Sequence, residues 1–107
     1  MHICRAVAEM NNGLIGASLG GGLFKKRIAK PGQGKSGGWR ALLACKPRRM
    51  VFFLYVFPKG SRGNIGVNEL KVLKRLTKYY LAMKPDEIRV ALECGELKEV
   101  VCNETGR

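Results

Sequence analysis

Apolar residues recur along this chain in two rhythms, and the changes of rhythm divide it into elements. From Ile3 to Asn11, the residues Ala6, Val7 and Met10 fall at helical spacing, and Asn11-Asn12-Gly13 stops the helix. Gly20-Gly21-Gly22 reads as a flexible break. Leu23 to Lys30 alternates with the two-residue period of a strand, with Phe24 and Ile28 on one face and Lys25, Arg27 and Ala29 on the other. Pro31 to Gly38 reads as a glycine-rich loop, Trp39 to Cys45 as a second strand, Lys46-Pro47-Arg48-Arg49 as a turn, and Met50 to Phe57 as a third strand. The turn is hairpin-short, so the second and third strands should be antiparallel neighbours. The third is apolar on both faces, which predicts a central place in the sheet. After a loop from Pro58 to Gly66, Val67 to Met83 is the strongest helix, with Leu70, Leu73, Leu76 and Tyr80 as its inner stripe and Lys71, Lys74, Arg75 and Lys78 mostly opposite. Pro85-Asp86 opens a second helical stretch to about Cys94, and Leu97 to Cys102 reads as a last strand. There is no repeat and no linker, so the pattern predicts one α+β domain over 1–107, a small, mostly antiparallel sheet flanked by helices.

Charge sharpens this picture. Lys+Arg number 20 against Asp+Glu 8 in 107 residues, a formal +12. No acid lies between Glu9 and Glu69, whereas Asp86, Glu87, Glu93, Glu96, Glu99 and Glu104 crowd the C-terminal part. So one-sided a middle repels itself when folded, and a polyanion such as nucleic acid relieves that repulsion. The longest apolar run, Met50 to Phe57, is far too short to span a membrane, and the basic stretch is not an amphipathic surface helix. Met1-His2-Ile3-Cys4-Arg5 lacks the plan of a signal peptide. Cys4, Cys45, Cys94 and Cys102 are too scattered for a disulfide framework, so they are expected as reduced thiols in a cytoplasmic protein.

Several chemistries fall away. Gly34-Lys35-Ser36 suggests a phosphate loop, but the glycine required five positions earlier is Ala29, and Gly37-Gly38-Trp39-Arg40 leads into a strand rather than a helix. The cysteines lack paired ligand spacing and His2 is the only histidine, so neither a metal site nor a histidine-based triad is expected, and no cofactor. What remains is a set of cations around a glycine loop at strand ends: Lys26, Arg27, Lys30, Lys35, Arg40 and Lys59. These suit a phosphodiester. In RNA the ribose 2′-hydroxyl attacks its own phosphate, and the protein need only orient the backbone, move protons and stabilise the added negative charge. An arginine fork does the last well, and a lysine crowded by cations can serve as base. The same residues could equally hold phosphates and do no chemistry. Phe52, Phe53, Tyr55 and Phe57 read as core rather than stacking platforms. Trp39 reads as a sheet anchor, with a stacking wall beside Arg40 as the functional alternative. Arg27, Lys26, Lys30, Trp39 and Arg62 make up the candidate RNA contacts.

The run from Leu19 to Arg40, L-G-G-G-L-F-K-K-R-I-A-K-P-G-Q-G-K-S-G-G-W-R, resembles the signature of RelE/HigB-type toxins of bacterial toxin–antitoxin modules. It is similar to the branch with K-x-R-x-A-x-x-G-x-G-K-S-G-G followed by an aromatic and Arg. F-F-L-Y-V-F-P-K (Phe52 to Lys59), N-I-x-x-x-E-L-K-x-L-K-x-L (Asn64 to Leu76) and G-E-L-K-E-V-V-C (Gly95 to Cys102) also agree with it. The resemblance implies a RelE-like microbial RNase fold and a ribosome-dependent messenger RNA endonuclease that acts by metal-independent 2′-hydroxyl attack. It also implies a cognate antitoxin with a helix-turn-helix. Its cations carry over to Arg27, which would position the backbone, Arg40, which would meet transition-state charge, and Lys35 or Lys59, either of which could transfer the proton. Two departures stand out. The strand with which this branch begins is not seen ahead of Arg5-Ala6-Val7-Ala8-Glu9-Met10, and the sheet edge so exposed invites pairing with another chain, including a second copy. Val56 and Pro58 replace a glycine and a small residue, and Pro58 could re-aim Lys59. Two alternatives stand beside the nuclease: an inactivated or non-enzymatic RNA- or ribosome-binding homologue, and a gyrase-inhibiting toxin of the related ParE type.

Overall fold

The computed structural model describes residues 3–30, 34–47, 49–58, 60 and 65–102, and within these the side chains of all but 29–30 and 34–37. The chain runs α1 (Ile3–Asn11), β1 (Ala17–Gly20), β2 (Leu23–Lys30), β3 (Gly34–Lys46), β4 (Met50–Pro58), α2 (Val67–Leu81) and α3 (Pro85–Glu93). The four strands form one sheet in the order β1-β2-β3-β4, antiparallel at every step. This is the expected α+β architecture, a small antiparallel sheet with helices packed on it.

Alternation along β2 and β3 sends side chains to two separate layers. On one face Ile28, Ala41, Leu43 and Cys45 pack with Ala6 and Met10 of α1, and Phe24, Trp39, Phe53 and Val56 extend that cluster. On the other face Leu23 and Leu42 are fully buried together with Thr77 of α2. Tyr80 of α2 stacks on Phe52 of β4, with ring centroids 5.2 Å apart. The sheet is thus sandwiched, and β3, buried at every position from Ala41 to Cys45, is its central strand.

Helix ends follow local chemistry. The backbone N–H of Gly66 donates to the Glu69 carboxylate at 3.2 Å, and that of Lys84 to Glu87 at 2.7 Å, so each N3 acid satisfies an otherwise orphaned donor. Pro85 occupies the first turn of α3, where its missing N–H costs nothing.

Five expectations are corrected. Met50–Pro58 is not central but lies at the end of the strand order; its apolar side chains are mostly half-buried, Val51, Phe53 and Val56 against the α1-side core and Phe52 against Tyr80 of α2. Ala17–Gly20 is an additional short strand, and Gly20-Gly21-Gly22 is not a flexible break but the tight turn of the β1–β2 hairpin, all three at positive φ (98°, 65° and 94°). β3 begins at Gly34, so the segment 34–38 is strand rather than loop. Leu97 to Cys102 forms no strand. It crosses the open side of β4, where it lines a groove of about 850 Å³ with Ile3, Val7, Phe53 and Leu76. That crossing brings Cys102 to the start of α1, where it forms a disulfide with Cys4; Cys45 and Cys94 are free.

Candidate nucleic-acid interface

The site is built on the sheet face that α2 only partly covers. Register places Arg27 of β2 directly opposite Arg40 of β3, and Arg40 opposite Phe57 of β4. One step along, Lys25 faces Leu42 and Leu42 faces Tyr55. Two cross-strand rows therefore put Lys25, Arg27, Arg40, Tyr55 and Phe57 on one face.

The aromatic half of this arrangement depends on a bulge. Leu43 pairs with Phe53 and Leu42 with Tyr55, so Leu54 is the extra residue on β4. Without it, Tyr55 and Phe57 would continue the face of Val51 and Phe53 and point toward α1. With it they turn to the arginines, their rings 5.3 Å apart at 38°. Phe57 is buried, whereas Tyr55 is 44% exposed. Tyr55 is thus partly exposed on the same sheet face as the arginines, one cross-strand row from Arg40 and Phe57.

Electrostatics make the arginine pair unusual. Like charges opposite one another on adjacent strands repel. Arg27 is exposed and Arg40 is half-buried, with no acid in an ion pair to either among the described residues. The Nε of Arg40 is buried and has no hydrogen-bond partner among the described residues. A buried donor without a partner costs about 1–3 kcal/mol. An anion accepting from Arg40 and lying between the two forks removes both penalties at once.

The remaining candidates divide. Lys26 does not join the cluster, which corrects its expected role as an RNA contact. Alternation turns it to the α1 face, where it is 5% exposed and its ammonium donates to Glu9 and to the Leu14 carbonyl, each at 2.9 Å. A charge so enclosed is retained because it is paired and hydrogen-bonded. Trp39 packs against the α1-side core, opposite Arg40, as a sheet anchor. Lys30 ends β2 and Lys35 lies at the start of β3, placed by their backbones alone. Lys59 and Arg62 lie outside the described residues. Tyr55 is the site residue that sequence alternation assigned to the core; only the bulge, which no local pattern announces, brings it here.

Titrating groups elsewhere play no part in this face. Burial pushes the Cys45 thiol above its ordinary value, which marks an inert core thiol. The Glu96 carboxylate raises the Tyr79 phenol, and burial followed by Glu96 raises Tyr80, both on the α3 side of α2.

A family model described as the RelE toxin of the RelE/RelB toxin–antitoxin system matches residues 1–100. No match was found among curated protein sequences.

Proposed function

This chain belongs to the RelE toxin family, and from that premise we propose that it is a ribosome-dependent messenger RNA endonuclease. It is a toxin of a toxin–antitoxin system, and its family implies an antitoxin partner. The finer reading is that this antitoxin carries a helix-turn-helix and that the toxin works on ribosome-bound message in the cytoplasm.

The observation that carries the proposal is the opposed Arg27–Arg40 pair with the orphaned Nε of Arg40. In the proposed reaction the 2′-hydroxyl attacks the adjacent phosphorus, the 5′-oxygen of the next nucleotide leaves, and a 2′,3′-cyclic phosphate remains. One proton is taken from the 2′-hydroxyl and one is given to the leaving oxygen. Arg40 meets the charge that grows on the non-bridging oxygens, from a half-buried site where competition from water is reduced. Arg27, exposed on the neighbouring strand, holds the backbone in line. Tyr55 stacks on a base next to the scissile link, a contact worth about 1–3 kcal/mol. Lys35 or Lys59 handles the proton transfers.

The test is induced expression in bacteria of wild type beside Arg40→Ala, with messenger RNA ends mapped. Growth arrest with new ends, both lost in the variant, is the expected result. Loss of one preorganised transition-state donor lowers rates by about 10²–10³-fold. Arrest with intact messages would replace the nuclease by the gyrase route, and absence of arrest would replace it by an inert binding homologue.

A further inference from the structure

Four cations of α2 have no role in the reaction just described. Lys71, Lys74, Arg75 and Lys78 are all exposed, and none is in an ion pair among the described residues. At the 100° step of a helix they fall within an arc of about 100°, on one flank and not around the whole surface. The buried Thr77 fixes which way that flank looks. With Thr77 down on the sheet, Glu69, Leu76 and Tyr79 turn toward α3 and β4; Lys71 and Lys74 lie on the β1–β2 side, Arg75 points almost straight away from the sheet, and Lys78 closes the row where it borders a groove with Asp86, Glu87 and Glu96. Lys74 confirms the direction: its ammonium lies over the β1–β2 turn, so close to Gly20 that a Cβ there would come within 3.4 Å of Nζ.

The sheet floor below this flank carries Lys25 and Arg27 on β2, the strand next to β3 with Arg40. The helix follows the C-terminal end of β4 and runs back along it, Tyr80 over Phe52, so Lys71 stands nearest the Arg40–Phe57 end and Lys78 farthest from it. Lys25 and Arg27 on the sheet and Lys71 and Lys74 on the helix thus share one side of α2, and the acids of α3 come near the row only at its Lys78 end. The row from Lys71 to Lys78 rises about 10 Å along the helix, the length of roughly three stacked nucleotides.

We infer that the α2 flank is a second line of phosphate contacts, a track that holds the RNA strand as it leaves the Arg27–Arg40 pair and runs toward the β1–β2 turn. This rests on reading the substrate as RNA, and it adds where the flanking strand goes. Continuity with the arginine pair and the exposed Tyr55 ring favours a nucleic-acid strand over an acidic polypeptide, which would have no use for the ring. No base is read by these side chains, so the track contributes affinity without sequence preference.

The experiment uses a 2′-O-methyl single-stranded RNA 15-mer, which cannot be cleaved, and follows fluorescence anisotropy across a salt series. Three proteins are compared with wild type: a fourfold Lys71→Gln, Lys74→Gln, Arg75→Gln, Lys78→Gln variant; Arg40→Ala; and an Arg89→Gln, Lys98→Gln control that removes equally exposed cations on the acidic side. All the α2 changes are at exposed positions, and circular dichroism verifies the folds. The expected result is a fourfold variant whose log-affinity against log-salt slope is shallower by about 3, at about 0.7 per lost single-strand phosphate contact, with the control unchanged. An unaltered slope and affinity in the fourfold variant, while Arg40→Ala still weakens binding, overturns the track and leaves the functional reading in place. So does a variant that keeps RNA but no longer binds polyglutamate, which would make the flank a protein-docking face. Wild type that fails to bind the probe at all overturns both.

Discussion

Arg40 shows how a single residue can be costly to the fold and useful to the site. Its Nε is buried without a partner among the described residues, and it pairs in register with Arg27 on the neighbouring strand. Neither feature helps folding, since an unsatisfied buried donor costs about 1–3 kcal/mol and opposed like charges add to that. Lys26, one place from Arg40 by strand register and on the other face, has the opposite character: Glu9 and the Leu14 carbonyl satisfy it, and it belongs to the packing. This contrast leads to a stability prediction. Arg40→Met keeps the unbranched stem and removes both the orphaned donor and the repulsion. It should raise the urea midpoint by an amount equivalent to about 1 kcal/mol while abolishing cleavage. A lower midpoint would mean that the guanidinium is already satisfied in the free protein and is not poised for an anion.

Elements show where local pattern suffices and where it does not. The bounds Ile3–Asn11 and Leu23–Lys30 follow from hydrophobic period and stop signals, which are properties of neighbouring residues. Alternation also held the placement of Lys26, because a residue between Phe24 and Ile28 at a two-residue period shares their face. The position of β4 was not legible in that way. The partners of its apolar side chains, the α1-side core and Tyr80 of α2, are distant in sequence, and the same apolar run would serve a central strand. The Leu54 bulge was equally silent, and with it the presence of Tyr55 beside the arginines. Where α2 meets β4, Tyr80 provides a handle on the packing. Burial and then Glu96 raise its phenol above the ordinary value of 10.0. The neutral phenol is thus favoured in the fold, so its contribution to stability is complete below pH 10 and is lost as pH climbs through the raised value. Tyr80→Phe should flatten the alkaline decline of the urea midpoint between pH 9 and pH 11 relative to wild type. Parallel declines would place the Tyr80 hydroxyl in water.

At the scale of the whole molecule, two long-range devices shape the protein. One is the segregation of charge, with cations on the sheet face and the β1–β2 flank of α2 and acids around α3, which orients any polyanion before contact. The other is the Cys4–Cys102 disulfide, which joins residues 98 apart and ties the segment 97–102 down beside α1, across the open side of β4. Residues 97–102 form no ladder; the Leu97 N–H donates to the Ala91 carbonyl at 3.1 Å, and beyond it the disulfide and the apolar lining of the groove hold the segment. Closing so long a loop restricts the unfolded chain more than the folded one, and the chain-entropy model assigns up to about 4–5 kcal/mol to a loop of this size. Oxidised protein should therefore unfold at a higher urea concentration than protein kept in dithiothreitol. Cys4→Ser with Cys102→Ser should match the reduced wild type and respond to neither condition. Amide exchange should rise first in 97–102, because the sheet and its two buried layers keep their own contacts when the bond is cut. Equal midpoints for oxidised and reduced wild type would show that the two thiols are not joined in solution, and that the groove contacts alone seat the C-terminal segment.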